Sequence, residues 1–175
     1  MTPLGNLPSS GVSAMPQVVF VSEQANQVDP ILKLEADAID AYFAKRNMPL
    51  AGTGMKMAQA ASDNDLDWRL LPAIAVREST GGKNDCDRVK NNPFGWGSCK
   101  IGFQTLDVAI EMVAFNLGGN NPNTAKHYDN KTTTQILRAY NPPSIVRRYA
   151  EQVLSIMNTI GALDMAQVIT PNANT

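Results

Sequence analysis

A chain of 175 residues, 43% hydrophobic and 18% charged, carries enough apolar surface for the core of one domain and too much for a wholly disordered segment. A formal net charge of −1, with Lys and Arg scattered apart from the adjacent Arg147 and Arg148, leaves no basic footprint for nucleic acid. No run approaches the ~20 apolar residues that cross a bilayer, and one histidine and two cysteines offer no paired ligands at zinc spacing, so neither metal nor other cofactor is expected.

Residues 1–28 are rich in Pro, Ser, Gly, Gln and Asn without periodicity and read as a flexible lead-in to a domain over 29–161. Within them, residues 16–21 are too short for a signal-peptide core and follow no basic stretch, so no export signal is read. Asp29 and Pro30 suit the cap and first position of a helix reaching about Arg46, with Leu32, Ala36, Ile39 and Phe43 on its apolar face. Residues 48–52 break the pattern. Thr53 suits the cap of a second helix with Met55, Ala58 and Ala61 inward, ending near Asn64. Residues 65–70 lead into a third helix, which must hold Pro72 in its opening turn.

Residues 81–103 are irregular, with a short hairpin expected over 96–103. Thr105 suits the cap of a fourth helix burying Leu106, Ala109, Ile110, Val113 and Leu117, stopped at Gly118 and Gly119. A polar loop over 120–131 precedes a short helix from Thr133 to Tyr140, halted by Pro142 and Pro143. Ser144 suits the cap of a last helix with Ile145, Tyr149, Val153, Ile156 and Ile160 inward and Gly161 at its end; 162–175 read as a flexible tail. The pattern predicts a small, mainly α domain of six helices with a loop-rich lobe between the third and fourth.

In the third helix, Leu71, Ile74, Ala75 and Glu78 recur at offsets of three, four and seven and share one face, with Arg77 about 100° round from Glu78. Glu78 is thereby carried inward. A carboxyl pressed on apolar surface resists ionisation, so its pKa is expected to rise, the property that suits a general acid in glycoside cleavage. The competing reading is a solvated glutamate at a fraying helix end. Downstream, Asn91, Asn92, Pro93, Phe94, Gly95, Trp96 and Gly97 combine a turn, two glycines and two aromatic rings. Aromatic faces beside amides suit sugars, whose C–H faces stack while their hydroxyls hydrogen-bond; the alternative is a turn around a buried Trp. Cys86 and Cys99 flank this turn in a polar setting that favours a disulfide, worth roughly 3 kcal/mol for a loop of this size and indicating an oxidising compartment. Two buried free thiols are the alternative.

With Arg77, Glu78 and Ser79 at a helix end, then residues 91–96, then Ala139, Tyr140, Asn141, Pro142, Pro143 and Tyr149, the chain resembles the endo-β-N-acetylglucosaminidase branch of the lysozyme-like superfamily. These are bacterial and phage peptidoglycan hydrolases related to lytic transglycosylases, and the resemblance covers roughly residues 31–161. It implies a mainly α, lysozyme-like helical domain with a small loop or β-hairpin lobe. It further implies a monomeric, secreted or extracytoplasmic enzyme that cleaves β-1,4 bonds in peptidoglycan glycan strands.

The position matched by Glu78 is the family's general acid, that matched by Tyr140 lines the cleft, and residues 92–95 match its opposite wall. Asn92, Phe94, Gly95, Trp96 and Tyr140 are accordingly expected to contact substrate. Ser79 is expected either to bond the carboxyl or sugar, or to cap the helix end. A second carboxylate is sought first in Asp85 and Asp87, then in Asp107 and Asp129. If none serves, Glu78 acts alone as acid and then base, with an N-acetyl group or a 6-hydroxyl attacking. The alternatives are therefore a lytic transglycosylase forming 1,6-anhydromuramyl ends, or a non-catalytic glycan-binding or phage structural domain. Tyr149 and Trp68 read as core residues and His127 as exposed.

Overall fold

The computed structural model of the protein describes residues 28–169, with side chains through residue 162. The expected lead-in, apart from Val28, and residues 170–175 of the expected tail lie outside the described residues. Asp29 opens α1 (Pro30–Ala44) as the local pattern requires: its carboxylate accepts from the Ile31 N–H at 2.8 Å, with Pro30 in the first turn. Ala36, Ile39 and Phe43 are buried as the periodicity demands. Asn47, in the left-handed region at φ 50°, ends the helix with a return bond from Met48 N to Phe43 O at 3.0 Å.

The second helix, α2 (Gly54–Ser62), has its start in the expected place but not its cap. Thr53 donates its hydroxyl to Leu50 O, and Asp40 of α1 takes over, accepting from Gly52 N at 2.8 Å and Gly54 N at 2.9 Å. Met55 points to solvent and Met57 takes the inward place beside Ala58, Ala60 and Ala61.

The central helix is α3 (Leu70–Ser79), buried on every side through Leu70, Leu71, Pro72, Ala73, Ile74 and Ala75. Burying each large side chain of this kind stabilises by about 1.5–3 kcal/mol, and a helix apolar all round belongs in the middle of a core. It packs against α2, against α4 (Leu106–Leu117) and against α7 (Tyr149–Ile169); α1 closes over α2 and α7. Thr105 caps α4 as expected, accepting from Val108 N at 3.2 Å.

Further expectations fail. No strand forms among the described residues, so the hairpin over 96–103 is absent. Gly97, Ser98 and Cys99 take φ of 64°, 55° and 57°, three successive left-handed residues where a strand needs extended ones. The loop over 120–131 contains a single-turn helix, α5 (Ala125–Tyr128), which buries Tyr128. Ser144 caps nothing: Ile145 and Val146 both donate to Pro142 O in a turn, and α7 begins only at Tyr149. Ile145 is thereby swung out to 75% exposure, and at the other end α7 runs past Gly161 to Ile169. Between α5 and α7, α6 (Thr133–Tyr140) starts on a reciprocal cap between Thr132 and Gln135 and stops ahead of Pro142. No described helix is long and apolar enough to cross a membrane.

Candidate active site

The last turn of α3 delivers Glu78 from the core to a groove. Its helix ends abruptly: Thr80 is left-handed at φ 55° and Gly81 N returns to Ala75 O at 3.1 Å. A β-branched residue rarely takes that conformation, and such strain gathers at functional sites. Ser79 serves this ending. Its hydroxyl donates to Ala75 O and accepts from Gly82 N, both at 2.9 Å, in a side chain only 2% exposed. Of its two expected roles, the helix cap is the one its bonds perform.

The turn over 91–97 is held by Asn92, which is wholly buried. Its amide nitrogen donates to Trp96 O and Ile101 O, and its amide oxygen accepts from Trp96 N, each at 2.9 Å. These bonds give Asn92 a scaffold role within the turn, and the residue also lines the chamber beside Glu78. Phe94 is likewise fully buried and plugs the core rather than facing a ligand. The turn instead presents Gly95 and Trp96. Gly95 lies directly against the carboxyl: at φ 65° it is left-handed, and a Cβ there would meet Glu78 Oε2 at 3.0 Å.

Opposite stand aromatic rings from three helices. Trp96 lies 5.8 Å from the Tyr140 ring and 6.3 Å from the Tyr128 ring. Tyr140 stacks on Tyr149 at 5.9 Å and 15°, and its hydroxyl donates to Phe94 O, tying α6 to the turn. Burial, then the negative charge of Glu78, pushes the Tyr140 hydroxyl well above the ordinary phenol range. Tyr149 is driven up in the same direction, by burial first and then by Tyr140 and Glu78. Both are neutral phenols. The Tyr149 hydroxyl faces the Glu78 carboxyl without completing a hydrogen bond, so that it and Glu78 Oε1 are both buried and unpaired. Asn141 Oδ1, a few residues away in chain, is the third such atom among the described residues.

Two chambers meet at Glu78. One, of about 550 Å³, is walled by Trp96, Tyr128, Tyr140, Asn141 and Ile145. The other, of about 420 Å³, is walled by Asp85, Asp87, Arg88, Lys100 and the Cys86–Cys99 disulfide. Glu78, Gly95, Ser98 and Cys99 line both, so the chambers adjoin as one groove with the carboxyl where they meet. Asp85 and Asp87 therefore share a chamber with Glu78, whereas Asp107 and Asp129 line neither. The disulfide is formed, with a Cα–Cα distance of 5.5 Å.

Sequence reasoning missed Tyr128, Asn141 and Ile145 as groove residues. Tyr128 was legible only as an aromatic in a polar loop. Its place depends on Asn116, whose amide oxygen accepts from Asn121 at 2.9 Å and Thr124 at 2.7 Å and so anchors the start of α5. Tyr149 reads as core and is core, but its hydroxyl also feels the Glu78 carboxyl. His127 is exposed and lines neither chamber. No group of three or more metal-ligating acids, thiols or imidazoles occurs among the described residues.

The protein is thus a mainly helical domain built around a carboxyl-centred groove. Comparison of the chain with protein-family models, with curated proteins and with solved structures found no match.

Proposed function

We propose that the protein is a peptidoglycan-cleaving glycosidase in which Glu78 protonates the glycosidic oxygen between two N-acetylated sugars. The position of Glu78 carries this reading: one carboxyl at the junction of two chambers, beside a glycine and among aromatic rings. A glycan strand laid along the groove spans both chambers, which sets a linkage over the carboxyl. Trp96 and Tyr128 then offer faces for the C–H surfaces of the sugar rings. An acid that hands its proton to a substrate needs an oxygen uncommitted to the protein, and the Glu78 carboxyl turns Oε2 towards Gly95, where no side chain stands in its way.

A lytic transglycosylase is the second reading, and one observation favours it. The aromatic chamber holds no acid besides Glu78, so an acid-then-base role for a single carboxyl fits that side of the groove. Mass spectrometry of products from purified peptidoglycan separates the two, since transglycosylation leaves 1,6-anhydromuramyl ends and hydrolysis leaves reducing ones. Glu78→Gln preserves shape but cannot deliver a proton, and activity should fall at least ~10²-fold with the fold intact. Digestion by that variant at near the wild-type rate would overturn both readings.

A further inference from the structure

The groove is chemically lopsided about Glu78. Its aromatic half contains no charged side chain other than Glu78. Its other half gathers charges of both signs, Asp85, Asp87, Arg88 and Lys100, around one chamber. Asp87, Arg88 and Lys100 make no ion pair or side-chain hydrogen bond with any described residue, and Asp85 accepts only from the adjacent Cys86 N. Charges left unpaired by the protein on an outer face are ordinary; here they converge on a cavity that abuts the acid, on a loop stapled by Cys86–Cys99. A strand of neutral amino sugars leaves all four unanswered, and a carboxylate on a sugar would answer only Arg88 and Lys100. A peptide attached to a sugar supplies both complements, carboxylates for Arg88 and Lys100 and an ammonium for Asp85 and Asp87.

We propose that the charged chamber receives the peptide borne by a sugar next to the scissile bond, making peptide-substituted glycan, not bare glycan, the preferred substrate. This rests on the glycosidase reading and narrows it. The contacts are ionic and partly open to water, so their effect weakens with salt.

The test compares kcat/KM on soluble peptide-bearing strands with kcat/KM on the same strands stripped of peptide by an amidase, the sugar carboxylates that stripping frees being blocked as neutral methylamides. The wild type should favour the peptide-bearing strands about tenfold or more at low salt, as several weak ion pairs acting together allow. That ratio should shrink at ~0.5 M salt. The Arg88→Glu/Lys100→Glu double variant should bring the ratio to within about twofold of one. Both positions are at the surface, so its melting curve should match the wild type and report that the fold is kept. Equal cleavage of both strands, or a preference that survives the double variant, overturns this inference while leaving the glycosidase reading standing. Cleavage of neither strand overturns the glycosidase reading, and this one with it.

Discussion

Gly95→Ala asks whether the turn sets the position of the carboxyl. Two effects follow from the geometry. At φ 65° an alanine is left-handed, which destabilises by about 1–2 kcal/mol and lowers Tm by about 2–8 °C in a domain of this size. The new Cβ would also sit 3.0 Å from Glu78 Oε2. Carbon and oxygen settle at about 3.3–3.6 Å, so the carboxyl must retreat by roughly 0.3–0.6 Å. A 1 Å misplacement can lower a rate about 10²-fold, and half of that displacement corresponds to about tenfold. Gly52 separates the effects: it is also left-handed, at φ 96°, but a Cβ there meets nothing within 4 Å. Melting curves and the clearing of a cell-wall suspension, measured on both variants, should show destabilisation in each and slowed cleavage only in Gly95→Ala. Full activity in Gly95→Ala, or equal slowing in Gly52→Ala, would refute the argument.

Reducing the Cys86–Cys99 bond should lower stability by roughly 3 kcal/mol and speed amide exchange over 86–99 more than in α3; an unchanged melting curve would count against the staple. Asn92→Ala removes three hydrogen bonds to backbone groups of the turn, each worth about 0.5–1.5 kcal/mol net. It should therefore lose at least ~1.5 kcal/mol, whereas a residue that merely held sugar would lose affinity and keep its stability. Burial opposes the charged form of Asp67, but the hydrogen bonds and charge of Arg69 outweigh it and hold Asp67 below its usual value. A depressed folded pKa makes this contribution complete above the unfolded value of ~3.9 and lost as pH falls through the folded one. Asp67→Asn should thus lower stability by up to about 1 kcal/mol at pH 7 and by progressively less as pH falls through the depressed folded pKa; a deficit that does not shrink in acid would contradict the pairing.

Helix starts and faces were readable where the signal lies within a turn or two of chain. Asp29 with Pro30, Thr105, and the recurrence of Leu71, Ile74 and Glu78 each express backbone geometry that needs no distant partner. Glu78 was legible as an inward carboxyl for that reason. Of what it would face, Gly95, Trp96 and Tyr140 were named only through the family resemblance, and Tyr128, Asn141 and Ile145 not at all, because these neighbours come from separate elements that only packing brings together. The same limit explains the misassigned residues. A buried amide such as Asn92 and an exposed one look alike in sequence, and the difference is whether Trp96 and Ile101 fold back to meet it. Thr53 lost its expected cap to Asp40, and the hairpin gave way to left-handed residues around a disulfide. Periodicity and capping are local, acting over three to seven residues. Hydrogen-bond satisfaction and burial are settled across the whole core, as in the bond from Tyr140 to Phe94, and only the folded chain decides them.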